Sequence, residues 1–114
     1  MQFMDSGAAA FAKEERIQRL SARPSEILQR QFCATPYPHE NVGWIISNVG
    51  EEMCLFSSDY PHVEGGRNPM KRFNESLEGT TASARRKFFR DNFIKMMGAG
   101  LAADLHDIAG LQAA

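Results

Sequence analysis

Apolar residues recur along this chain with two different rhythms. Val42, Ile45, Ile46 and Val49 fall at i, i+3, i+4 and i+7, with Glu40 and Asn41 ahead of them and Gly50 behind. That spacing predicts a helix of about two turns, with Trp44 on its flank. Met53-Cys54-Leu55-Phe56 is instead a continuous apolar run bounded by polar residues, the pattern of a parallel strand buried on both faces. A shorter run, about Gln31 to Ala34, predicts an earlier strand. Between them Thr35-Pro36-Tyr37-Pro38 lacks two ladder donors, because its prolines have no N–H, which predicts a loop.

The flanks read as helices. Residues 5 to 20 carry Asp5 or Ser6 as a cap, Glu15 four before Arg19, and Ile17 with Leu20 as apolar contacts. Arg23-Pro24-Ser25-Glu26 interrupts that helix, and Ser25 can cap a short new turn. Pro69 to Leu77 predicts a short helix. Thr81 to Met97 predicts a longer one, with Phe89, Phe93, Met96 and Met97 on one stripe and Gly98 as its stop. Residues 99 to 114 form a small-residue tail, expected to be a frayed helix or disordered. The body of the chain is then one domain over residues 1 to 98.

The resulting order of helix, strand, helix, strand, helix, helix is that of an α/β fold with parallel strands joined by right-handed crossovers. Two strands cannot make an independent parallel sheet, because each needs neighbours along its edge and helices on both faces. The expectation is therefore a portion of a larger architecture.

Composition narrows the function. Thirteen Lys and Arg against fourteen Asp and Glu leave a formal charge of -1, and no phosphate-seeking face emerges, so no nucleic-acid partner is expected. The densest basic group, Arg85, Arg86, Lys87 and Arg90, reads as a solvated helix face. No segment approaches the roughly 20 apolar residues of a membrane span, and Asp5 stands where a secretory signal would carry Lys or Arg; no membrane partner and a cytoplasmic location are expected. Cys33 and Cys54 each sit in a short apolar run and read as inert core thiols.

The candidate chemistry lies in FSSDYPHVEGG, residues 56 to 66, where the apolar run breaks. In parallel α/β architectures functional groups gather at the carboxyl ends of strands, and Asp59 stands at such an end. A carboxylate there can bind a divalent metal or take the proton of a metal-bound water. It can equally cap its turn through an Asx-type hydrogen bond.

The stretch CATPYPHENVGWIISNVGEEMCLFSSDYPHVEGGRNPMKRF closely resembles the C-terminal part of the amidohydrolase family related to aminocarboxymuconate-semialdehyde decarboxylase, metal-dependent enzymes on a (β/α)8 barrel. The resemblance rests on Ser58-Asp59-Tyr60-Pro61-His62, which matches the end of that family's final strand, and on an asparagine-centred motif similar to Arg90-Asp91-Asn92-Phe93. It runs from about residue 5 to residue 98. It implies that Asp59 is the last-strand aspartate, helping to hold zinc or manganese and handling the proton of the attacking water. Tyr60 would point into the barrel wall, Pro61 would fix the turn, and His62 would stand behind the metal's ligands or on the substrate side without being a ligand itself. On the same rim, Gly65 and Gly66 allow close backbone approach, and Arg67 could grip a substrate carboxylate or remain a solvated turn residue.

The departures from the family pattern are equally specific. The family draws its other ligands from a His-x-His pair and further histidines, whereas this chain has His39, His62 and His106, none in a His-x-His. A catalytic zinc site needs about three protein ligands, and a (β/α)8 barrel takes about 250 residues. The expected reading is thus the C-terminal portion of such a barrel, about the last two βα units plus flanking helices. It would belong to a hydrolase or decarboxylase that cleaves a C–N or C–C bond of a small-molecule substrate. Alone it would be inactive, needing the missing barrel strands or a homologous chain, with a homo-oligomer as one arrangement. The rival reading is a non-catalytic α/β remnant or subunit-contact module.

Overall fold

The computed structural model describes residues 1–106, so the last eight positions of the expected tail lie outside the described residues. The chain divides into two compact units, Met1–Phe32 and Cys33–Ala114.

The first unit holds three helices, α1 (Gln2–Ala10), α2 (Glu15–Gln18) and α3 (Pro24–Gln31). The single helix expected over residues 5 to 20 is broken into two by the turn that follows Ala10. Proline sits at the first position of α3, where a missing N–H costs nothing. Arg23, rather than Ser25, precedes the first turn, and the Glu26 carboxylate accepts its backbone N–H at 3.2 Å. Ser25 is occupied otherwise: its N–H and hydroxyl donate to the two carboxylate oxygens of Asp5 at 2.9 and 2.6 Å, tying α3 to α1. These bonds hold the Asp5 carboxyl below its ordinary range. None of the three helices buries a residue.

The second unit carries the core. Its helix α4 (Val42–Val49) matches the expected span; the Asn41 side chain accepts the Trp44 N–H at 2.9 Å, and Gly50 ends it at φ 99°. Helix α5 (Pro69–Ser76) is capped by Asn68, whose side chain accepts the Lys71 N–H. Helix α6 (Ala82–Arg86), capped by Thr81, runs through a wide π-helical turn at Lys87–Asp91 into α7 (Asn92–Met97). The Arg86–Asp91 ion pair at 2.7 Å, five residues apart, follows that widened register. Short 3₁₀ turns over Gly98–Gly100 and Ala103–Leu105 complete the described chain.

Val42, Phe73, Leu77 and Phe88 are fully buried. Phe56 meets Phe73 and Phe88 edge-on, with ring centroids 5.7 and 6.3 Å apart. The helix that closes this core presents Ala84, Phe88 and Asn92 inward, at i, i+4 and i+8. The expected stripe of Phe89, Phe93, Met96 and Met97 is therefore corrected: Phe93 and Met96 are exposed.

The expected α/β class, a C-terminal (β/α)8 portion, is overturned. The structure is mainly helical, and among the described residues there is no sheet. Strand pairing shrinks to one parallel bridge, Ala34 with Cys54. The cause is local. Helix α3 extends to Gln31, so the supposed first strand loses its beginning. Ala34 donates to the Met53 carbonyl at 2.8 Å and accepts from Leu55 at 3.0 Å, but the next donor in a parallel ladder would be Pro36, which has no N–H. Phe56 then turns its N–H to the Phe88 carbonyl at 2.9 Å, leaving a helix instead of a strand as its neighbour. Among the described residues no helix is long and apolar enough to cross a membrane.

Candidate functional site at the Asp59 turn

The extended segment that begins at Met53 is anchored from below by Asn92. Its side-chain amide is buried and donates to the carbonyls of Glu51 and Cys54 at 2.7 and 2.8 Å. With Met53, Cys54 and Leu55 buried, the chain emerges at Ser57 already fixed in direction. Burial also pushes the Cys54 thiol up from its ordinary range, so this cysteine stays protonated and unreactive. Cys33 is half-buried and also free.

Beyond that point the backbone closes a tight turn with its own groups. The Ser57 hydroxyl accepts the Asp59 N–H at 3.2 Å, and the Ser58 hydroxyl accepts the Tyr60 N–H at 3.3 Å. The His62 N–H donates to the Asp59 carbonyl oxygen at 2.8 Å. The Tyr60–Pro61 peptide is cis, and Asp59 has φ 56°, in the left-handed region that aspartate tolerates better than most side chains. Gly65 packs directly beneath: a Cβ there would lie 2.3 Å from the Ser58 carbonyl oxygen and 3.1 Å from the Asp59 Cβ.

The hydrogen bonds of this turn leave no N–H for an Asx cap by Asp59. An Asx cap needs a nearby N–H for the carboxylate, but Pro61 has none and the His62 N–H is spent on the Asp59 main-chain carbonyl. Among the described residues the Asp59 carboxylate accepts no hydrogen bond and joins no ion pair. It is half-buried and borders a polar concavity of about 180 Å³, shared with Thr35, Pro36, Tyr37, Pro38 and Ser57.

The other expected site residues are dispersed. His62 and Arg67 are exposed, and neither lines that concavity. Tyr60 is 87% exposed, which corrects the expectation that it packs into a wall. His106 engages the Leu101 carbonyl at 2.9 Å. His39 lies against Arg72, whose Nη1 is 2.9 and 2.7 Å from the two ring nitrogens. Arg72 was not singled out by sequence reasoning; spacing does not distinguish it from Lys71 beside it, and only the approach of a loop 33 residues earlier sets it apart.

Among the described residues no group of three or more His, Cys, Asp or Glu could hold a metal ion. Asp59 is a single donor, so this set does not by itself fit zinc or manganese, which require about three protein ligands. No family model, curated protein or solved structure matches the chain.

Proposed function

We propose that this chain contributes Asp59 to the active site of a metal-dependent, amidohydrolase-like hydrolase or decarboxylase whose remaining ligands come from residues outside this set, and that it is inactive alone. One observation supports the reading above the others: the turn is closed by backbone and serine groups, and the Asp59 carboxylate is left without structural work at the edge of a polar concavity. A carboxylate with no structural partner at the rim of a polar concavity is available to a ligand. The resemblance of Ser58-Asp59-Tyr60-Pro61-His62 to the amidohydrolase motif points the same way. Zinc or manganese would supply the polarisation of substrate and water there, once other donors complete the site. The role of this chain is to present a carboxylate on a backbone turn that is held in place, one oxygen able to act as a ligand and the other as a proton acceptor.

In the assembled enzyme, Asp59→Asn keeps the shape and a neutral oxygen but removes the base. Its kcat should fall on the order of 10²–10⁴-fold with the helical content unchanged. A fully active Asp59→Asn enzyme would end the catalytic reading.

A second reading, a non-catalytic subunit-contact module, has one specific observation in its favour. Phe56, Phe89, Phe93, Ile94, Leu101 and Leu105 line an apolar concavity, with Phe93 and Leu105 each about two-fifths exposed. Under that reading Phe93→Asp, and not Asp59→Asn, abolishes assembly.

A further inference from the structure

The segment from Met53 to Phe56 is hydrogen-bonded along both of its edges in the layout of a parallel ladder, although a strand lies on one side alone. On that side a single residue serves both groups that face it: the Ala34 N–H donates to the Met53 carbonyl at 2.8 Å, and the Ala34 carbonyl accepts the Leu55 N–H at 3.0 Å. Successive residues of an extended chain turn their main-chain groups to opposite edges, so the Cys54 carbonyl and the Phe56 N–H form the corresponding pair on the far edge. A third strand would meet that pair with the N–H and carbonyl of one residue. The closing helix meets it instead. The Asn92 side-chain amide donates to the Cys54 carbonyl at 2.8 Å, and the Phe88 carbonyl accepts the Phe56 N–H at 2.9 Å.

The π turn makes the second of these bonds available. In a regular α-helix the Phe88 carbonyl would take the N–H of Asn92, four residues on. Here the Asn92 N–H donates to the Lys87 carbonyl, five residues back, which releases the Phe88 carbonyl from that donor. Phe88 and Asn92 are both buried, so neither bond to the segment is open to exchange with water.

The edge covered in this way is a hazardous one. Met53-Cys54-Leu55-Phe56 contains no charge, proline or glycine, and an apolar extended segment with an unpaired edge is a template for pairing with another chain. On the Ala34 side the ladder is stopped by Pro36, which has no N–H. On the far side the segment carries no stop of its own, and the helix supplies one.

We infer that the π turn and Asn92 together form an edge guard: they imitate one residue of a neighbouring strand and so keep the Cys54–Phe56 edge from pairing with a second copy of this chain. The excluded partner is a second copy because the stretch that owns the edge is also the uncharged, apolar stretch that suits it. The inference goes beyond the Asp59 reading and does not depend on it.

The test compares the full chain with its Asn92→Leu variant at about 10–100 μM, by sedimentation and by the intermolecular strand signal of the infrared amide band. Leu77→Ala, at a fully buried position that makes none of these bonds, controls for general loss of stability. The unaltered chain and Leu77→Ala should show no intermolecular strand signal, whereas Asn92→Leu should show one and associate at least about tenfold more tightly than either. In the unaltered chain the Phe56 amide should exchange its hydrogen within about tenfold of the rate of the Leu55 amide that Ala34 holds. Where Asn92→Leu loses its helical circular dichroism, Asn92→Ser, too short to reach either carbonyl, takes its place, and the exchange comparison decides independently of both. The inference is overturned by a folded Asn92 variant without strand-type association, by equal association of Leu77→Ala, by a strand signal in the unaltered chain, or by a Phe56 amide that exchanges more than about tenfold faster than that of Leu55.

Discussion

Asn92 Nδ2 lies 2.8 Å from the carbonyl oxygen of Cys54, so a single buried amide ties the closing helix to the segment that ends in Asp59. The same nitrogen reaches the Glu51 carbonyl at 2.7 Å, which occupies both of its protons. Replacing Asn92 by Leu keeps approximate volume but strands two carbonyls, one of them buried. The expected loss is about 2–4 kcal/mol, read from urea unfolding. A loss under about 0.5 kcal/mol would show that water reaches those carbonyls freely.

The inward face of the helix over residues 82 to 97 can be tested by comparing two phenylalanines. Phe88 is fully buried among Phe56, Phe73 and Phe89, whereas Phe93 is 41% exposed. Phe88→Ala should cost about 3–5 kcal/mol and Phe93→Ala less than about 1 kcal/mol. The reverse order would restore the stripe of Phe89, Phe93, Met96 and Met97 as the core face.

These two cases also show what the sequence could and could not convey. Helix α4 was legible because its apolar spacing, its Asn41 cap and its Gly50 stop agree. Helix α5 was legible for similar reasons, with proline at its first position. The stripe of the last helix was misread because the π turn at Lys87–Asp91 inserts extra rotation, which no 3.6-residue pattern anticipates. The sheet was misread because an apolar run bounded by polar residues is compatible with any buried extended segment. Whether a ladder forms depended on Pro36, already visible in the sequence, and on Phe56 choosing Phe88 as its partner, which is a tertiary contact. Asp59 was legible as a break in that run. That its carboxylate is idle was not, since the decisive hydrogen bonds run from serine hydroxyls and a main-chain carbonyl. Arg72 was hidden because its partner His39 arrives from far along the chain.

The support beneath the turn should be intolerant of even a methyl group. Gly65→Ala would set a Cβ 2.3 Å from the Ser58 carbonyl oxygen, a backbone atom that cannot step aside without moving Asp59. A melting experiment should register about 1–3 kcal/mol of destabilisation, with the largest chemical-shift changes at Ser58, Asp59 and Tyr60. A neutral substitution with an unmoved Asp59 would mean that the glycine contact is not what holds the turn.

Stability should also decline in acid through Glu51 and Glu52. Hydrogen bonds from Thr81, Ser83 and Lys87 hold the Glu51 carboxyl below its ordinary value of 4.5, and bonds from Lys87 and Lys95 do the same for Glu52. A carboxylate whose folded pKa is lowered stabilises the fold above its unfolded pKa, and that contribution is lost as pH falls through the folded value. The melting temperature should therefore be flat above about pH 5 and drop below 4.5. The double variant Glu51→Gln and Glu52→Gln should start lower and show a shallower drop. An undiminished acid slope in that variant would assign the effect to other carboxylates.

The central claim is that the Asp59 carboxylate is free to take a metal ion, and manganese titration of the intact chain addresses it most directly. With one side-chain carboxylate and the oxygens of Thr35 and Ser57 nearby, binding should be weak, with a dissociation constant on the order of millimolar. Paramagnetic broadening should start at Thr35, Ser57 and Tyr60, and Asp59→Asn should abolish it there while broadening near isolated surface acids such as Glu64 and Glu78 persists. Broadening that is no stronger at the Asp59 turn than at Glu64 or Glu78, or that survives Asp59→Asn unchanged, would contradict the account.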